Sequence, residues 1–331
     1  MERVSGSRFR CFVRVCDREK RQMLFSESED DTLGNVSQGL AIVSFVICML
    51  VVIAVLLVPT LRDGERFQLI ATMCFCSALF ESTYIFGKNR TSENECRIFG
   101  PLDQAGSIGV VVWNFIMSME LYITIARKPV KEKSCVYKCF SSYPAFTKHI
   151  FAWILVLILT VIPLIADEYG KVGQFCWIES NRSNSDAYRF IFFYAPLWIV
   201  IVWESFVYLQ IFSVFRTLRQ QGLISGVHAI HAKKILSSLG MYPLILIATW
   251  LFGTMNRLQN SIEPDEPKYW LYMAQAITMH LQGFLFGAVF FIYDSRARNE
   301  MYDWFTVREW GIHDIEADAY KLEGNGDDET T

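Results

Sequence analysis

Residues 40–58 read LAIVSFVICMLVVIAVLLV, an apolar run without an Asp, Glu, Lys or Arg. A bilayer core of roughly 30 Å needs about 20 helical residues at ~1.5 Å each, so this run reads as a membrane-spanning helix. Stretches of similar character run from about Phe67 to Gly87, Ile98 to Ile125, Ile150 to Ala166, Phe190 to Phe215, Ile235 to Met255 and Tyr269 to Tyr293. None carries more than one or two charged residues. Seven spans predict an all-α membrane protein, a seven-transmembrane helix bundle whose two ends lie on opposite sides.

Composition agrees, at 52% hydrophobic and 15% aromatic with mean hydropathy +0.25, and the charges collect in connections and tails. Seven helices with short loops consume about 260 of 331 residues, which leaves neither end long enough for a sizeable soluble domain. An appended catalytic domain is therefore not expected, and the chain reads as a non-enzyme. The expected organisation is an extracellular, partly disordered tail over 1–35, the bundle over 36–294, an amphipathic juxtamembrane helix over 295–311 and an acidic disordered cytoplasmic tail over 312–331. Met301, Trp304 and Phe305 fall on one side of that juxtamembrane helix. No internal repeat is present, which weighs against inverted-repeat transporters.

Orientation follows from Lys and Arg in short loops, which favour the cytoplasm. With the N-terminus outside, the inner connections hold Arg62, Arg66, Arg127, Lys128, Lys131, Lys133, Lys138, Lys148, Arg216, Arg219, Lys233 and Lys234, against the acids Asp63, Glu65 and Glu132. The outer connections are balanced, so the bias favours the N-terminus outside and the C-terminus cytoplasmic. Sequons at Asn35, Asn89 and Asn181 fall on the outer side as expected glycosylation sites. Cys96 and Cys176 also fall there, either bridged in an oxidising compartment or as free thiols. Bridged, they would tie the longest outer loop across the bundle mouth. The basic tail Arg3 to Arg21 opposes this topology, and its bases all precede Met23. Met23 rather than Met1 is then an expected working start, with the first span as its own membrane signal.

Residues 241–259 read MYPLILIATWLFGTMNRLQ. This resembles the sixth helix of the cyclic-AMP-receptor-like, class E, G-protein-coupled receptors, with a Tyr-Pro-Leu-Ile start, a mid-helix Trp and an Asn-Arg end. Leu121-Tyr122-Ile123, Cys176-Trp177-Ile178 and Leu281-Gln282-Gly283 are similar to family motifs at corresponding places, and the likeness covers about Val36 to Arg298. It departs where the family has an Asn and then a Tyr near the inner end of helix seven, because Phe286 and Phe290 stand there. The resemblance implies a plasma-membrane receptor that binds an extracellular ligand within the bundle and activates a heterotrimeric G protein.

The residues themselves suggest how. Pro243 removes a backbone hydrogen bond and would let the sixth helix work as a lever, or it is one more of the prolines that membrane helices tolerate. Tyr122 lies at the inner end of the third span, within the matched tripeptide. The bases Arg127, Lys128, Arg216, Arg219, Lys233 and Lys234 would face the G protein. A ligand cavity would draw on Ser107 and Asn114 of span three, Trp250, Asn256 and Arg257 of span six, and the stripe Gln275, Met279 and Gln282 of span seven. Arg257 either meets an anionic ligand or snorkels to the interface. The intramembrane acids Glu81 and Glu204 are ligand contacts or interhelical glue. With Asp103 they could instead form an ion path, which keeps a seven-span transporter or channel as the alternative. A cyclic nucleotide, the ligand that the family name suggests, is an anion, yet the outer connections carry no positive excess. Partners reduce to a G protein, a small extracellular ligand and membrane lipid, with no cofactor, metal or nucleic acid expected. A retinal pigment is excluded, since residues 270–294 contain no lysine for a Schiff base.

Overall fold

The computed structural model describes residues 25–87, 92–125, 145–172, 175–179, 185–220, 239–263 and 266–306. Among the described residues seven long helices form one bundle: Glu27–Leu57, Glu65–Gly87, Glu93–Ile125, Ala145–Ile165, Ser185–Gln220 with a π-helical segment at Phe190–Tyr194, Met241–Ile262, and Tyr269–Ala288 continued by a π-helical segment Val289–Tyr293. They are called spans one to seven below. Six are long and apolar enough to cross a membrane.

Most helices outrun their apolar windows. Hydropathy ends where lipid ends, whereas backbone hydrogen bonding continues into the headgroups. Span one begins at Glu27, not at Val36, so the expected tail boundary lies inside a helix. Glu29 fixes that start by accepting from the Ser26 backbone N–H at 3.1 Å and the Ser26 hydroxyl at 2.7 Å. Span four ends in a Schellman turn: Glu168 N–H donates to the Pro163 carbonyl, Asp167 N–H to the Leu164 carbonyl, and Asp167 takes φ 55°.

Span three is the axis, with 83% of its apolar window buried against 22% for span four, and it packs on spans two, four, five and six. Its contact with span two needs glycine. A Cβ on Gly106 would lie 2.5 Å from the Phe80 backbone nitrogen, so the two helices approach backbone to backbone. Gly283 of span seven plays the same part against span two and span one, where a Cβ would meet Ser77 Oγ at 2.8 Å and Cys48 Sγ at 2.9 Å. The outward faces are inverted relative to a soluble protein: Leu157, Ile199, Val202 and Phe212 are all exposed, a surface suited to lipid tails.

Between spans four and five a two-stranded antiparallel hairpin, β1 (Tyr169–Val172) and β2 (Phe175–Ile178), crosses one end of the bundle. The Cys96–Cys176 disulfide ties β2 to the start of span three. Tyr169 presses its ring against Gly100 and donates to the Thr160 carbonyl at 3.0 Å, and burial there raises its phenol above the usual range.

At the opposite end Arg66 pairs with the buried Asp294 at 2.5 Å. Asp294 also accepts from the backbone N–H groups of Arg296 and Ala297, so it caps the helix 295–306 that follows span seven. Met301 and Trp304 pack on the bundle core, but Phe305 is exposed, so the expected single apolar side is split. Residues 307–331 lie outside the described part, as do 1–24.

Candidate functional site

Beneath the hairpin lies a cavity of about 190 Å³. Span one contributes Asp30 and Ser37, span two Phe80 and Tyr84, span three Asp103 and Ser107, and β2 Phe175 and Trp177. The far wall is Arg189, Phe193 and Tyr194 of span five, Trp250 and Arg257 of span six, and Tyr272, Gln275, Met279 and His280 of span seven.

Local structure aims these groups. The π-helical turn Phe190–Tyr194 inserts an extra residue into span five, and Phe193 and Tyr194 within it and Arg189 just before it reach the cavity. Arg189 donates from Nε to the Ile178 carbonyl at 2.9 Å and lies over the Trp177 ring at 5.3 Å, which anchors the hairpin to span five. Gln104 joins three elements, accepting from Trp177 Nε1 at 2.7 Å and donating to the Phe192 carbonyl at 2.9 Å. Phe192 lies inside the π turn, so this bond holds a carbonyl that the irregular helix leaves available. Arg257 is turned inward rather than snorkelled: its Nε donates to Tyr194 Oη at 2.5 Å, and its guanidinium lies 5.5 Å from that ring.

Spans six and seven are zipped by polar pairs. Asn260 donates to Tyr272 Oη at 2.8 Å, Asn256 to Gln275 Oε1 at 2.6 Å, and Trp250 Nε1 to Gln282 Oε1 at 3.3 Å. On the other side of span seven His280 Nδ1 lies 2.6 Å from Glu81 Oε2, and Tyr84 meets the His280 ring edge-on at 4.3 Å. Thr83 donates to Asp103 Oδ1 at 3.0 Å, linking spans two and three.

Of the side chains expected at a ligand cavity, Ser107, Trp250, Arg257 and Gln275 line it. Asn256 and Gln282 hold two of the lining residues from behind. Glu81 sits behind His280 as that histidine's partner, which makes it a support rather than a contact. Asn114 lies deeper, donating within its own helix to the Val110 carbonyl at 3.0 Å. Glu204 is buried away from the cavity, with neither carboxylate oxygen bonded among the described residues. Glu81, Asp103 and Glu204 are thus not strung along one opening. Arg257 is also not alone, since Arg189 brings a second guanidinium to the cavity.

Tyr84, Arg189, Tyr194, Tyr272 and His280 were missed. The stripe of span seven that faces the cavity is Tyr272, Ala276 and His280 at intervals of four, beside the expected Gln275 and Met279. Arg189 precedes the apolar run by one residue and enters only through the π turn.

At the opposite end Tyr122 rests on Trp203 and Phe206, with ring centroids 5.7 and 6.2 Å apart. Pro243 lies in the first turn of the helix Met241–Ile262, three residues after the turn at Gly240 that parts it from the helical Leu239. The irregular point is Gly240, whose carbonyl accepts from Tyr208 of span five. Arg216 is exposed, and the side chain of Arg219 is not described. Arg127, Lys128, Lys233 and Lys234 lie outside the described residues, as do Asn89 and Asn181. Asn35 is exposed on span one.

Comparison with known proteins bears on what such a bundle does. The family described as slime mold cyclic AMP receptor matches residues 27–311. "G-protein coupled receptor 1" of Arabidopsis thaliana is 30% identical over 197 residues, 58% of this chain and 58% of that protein. "Cyclic AMP receptor 1" of Dictyostelium discoideum is 25% identical over 259 residues, 75% of this chain and 60% of that protein. The matched part thus spans less than two thirds of these curated relatives. In fold the chain is similar to squid rhodopsin, with a TM-score of 0.60 at 13% identity over 85% of this chain and 87% of that one.

Proposed function

This chain belongs to the slime mold cyclic AMP receptor family, a group of G-protein-coupled receptors, and from that premise we propose that it is a plasma-membrane receptor which takes a small extracellular ligand in the cavity beneath the hairpin and activates a heterotrimeric G protein at the opposite end. The observation that carries this reading is the cavity itself, where the polar side chains of six spans converge under a disulfide-tied hairpin. A disulfide belongs in an oxidising compartment, which supports an extracellular hairpin end. An odd number of spans then puts the C-terminal helix 295–306 in the cytoplasm.

Transmission needs two states with different ligand affinity. The pairs Trp250–Gln282 and Asn256–Gln275 tie span six to span seven beside the ligand, and the Tyr208–Gly240 contact ties span six to span five at the far end. A ligand that pulls on Trp250 or Arg257 loads span six near its cavity end, and the irregular point at Gly240 lets the far end answer. Bases of the inner connections, Arg127, Lys128, Arg216, Arg219, Lys233 and Lys234, would steer an acidic G-protein surface.

The test is nucleotide exchange on purified G protein with the reconstituted receptor, against a library of nucleotides and amines. Acceleration by one ligand supports the reading. Ion flux in liposomes without exchange would instead favour a transporter.

A further inference from the structure

The cavity wall carries charge of both signs, with Asp30 and Asp103 as its acids and Arg189 and Arg257 as its guanidinium groups. Asp103 is 4% exposed, lines the cavity, and shares one oxygen with the Thr83 hydroxyl. Among the described residues no Lys, Arg or His makes an ion pair with it. A carboxylate held from water without a cation is a costly arrangement, and a ligand cation beside it relieves that cost. Across the cavity two guanidinium groups, Arg189 and Arg257, face the same space, each backed by an aromatic ring. Guanidinium pairs of this kind suit a carboxylate or phosphate.

An anion alone meets the arginines and sets its charge against Asp103. An amine alone satisfies Asp103 and meets two positive groups. A molecule with both charges meets each wall with its opposite. The surfaces between are apolar and aromatic, with Phe80, Phe193 and Trp250 among them, and accept an uncharged body. We propose that the ligand is a small zwitterion, a protonated amine and an acid group on one apolar body, with the amine on Asp103 and the acid on Arg189 and Arg257. This rests on reading the cavity as the receptor's ligand site. An amino acid or a close derivative has the required chemistry, and a cyclic nucleotide lacks the cationic group.

The full-length receptor in lipid nanodiscs is tested for binding by shift of its thermal unfolding midpoint and by isothermal titration. The probes are the twenty amino acids, amine-only and acid-only analogues of whichever binds best (phenethylamine and 3-phenylpropanoate in the case of phenylalanine), and cyclic AMP. An amino acid should bind about tenfold or more tightly than either analogue. Asp103→Asn should erase its advantage over the acid-only analogue, and Arg257→Gln its advantage over the amine-only one. Equal or tighter binding by an acid-only probe or cyclic AMP overturns the proposal, as does failure of every amino acid to bind. The unmutated receptor decides this alone if a variant does not fold. Basal nucleotide exchange on G protein, measured on the same nanodiscs, fails separately if the receptor reading is wrong.

Discussion

His280 of span seven and Glu81 of span two sit 2.6 Å apart in the bundle interior, with His280 on the cavity wall and Glu81 fully buried behind it. The pair locks spans two and seven at the depth where a ligand rests. Removing one partner strands the other without water, which costs about 1–3 kcal/mol. Glu81→Leu and His280→Phe should each lower the thermal unfolding midpoint of the purified receptor. The double variant should recover part of the loss, and strict additivity would show the two side chains to be uncoupled.

The Trp250–Gln282 bond ties spans six and seven at the cavity floor. Gln282→Leu leaves the indole N–H unpaired and weakens the resting arrangement by about 1 kcal/mol. Basal nucleotide exchange should rise about fivefold with the fold intact by circular dichroism. A variant with lower basal exchange and unchanged ligand affinity would mean that this bond belongs to the active state.

Span packing at Gly106 leaves no room for a methyl group, because its neighbour is Phe80 backbone. Gly106→Ala should abolish recovery of folded receptor. Gly109→Ala is the matched control, since its Cβ would meet the side chain of Cys76, with Sγ at 2.8 Å, which can rotate away. Equal yields of the two variants would contradict the backbone contact.

Among the described residues Glu204 has no hydrogen-bond partner for either oxygen of its buried carboxyl. Glu204→Gln or Glu204→Leu should therefore stabilise the receptor by about 1–3 kcal/mol, measured as a rise in unfolding midpoint. Destabilisation would point to a partner that binds this acid in the working receptor.

The Cys96–Cys176 bridge closes a loop with a sequence separation of 80 and pins the hairpin over the cavity. Cys176→Ser should cost about 2–4 kcal/mol of stability. Ligand affinity should fall as well, because Trp177 and Phe175 line the cavity from the same strand.

The bundle was legible because lipid makes a simple demand: uncharged runs near 20 residues must be helices. Helix ends were not, since Glu27 to Gly39 and Glu93 to Arg97 extend span one and span three through polar residues that hydropathy discounts. Helical spacing put Ser107 and Gln275 on inward faces, whereas Trp250 and Arg257 were expected at the cavity from their place in span six, with snorkelling the alternative for Arg257. The same spacing missed Arg189, whose direction depends on a π turn, and His280, which stands one residue past the expected stripe. Glu81 and Glu204 looked alike in sequence as lone acids in apolar runs. Only the position of a histidine on another helix separates them.

The central claim is that a ligand held beneath the hairpin is answered at the opposite end of the bundle. The most direct measurement is G-protein nucleotide exchange by receptor reconstituted in oriented proteoliposomes, with ligand added only on the hairpin side. The account predicts acceleration that is lost in Arg257→Gln and kept when ligand is withheld from the other side. Ligand-driven ion movement without exchange, or exchange unaffected by Arg257→Gln and Trp250→Ala, would contradict it.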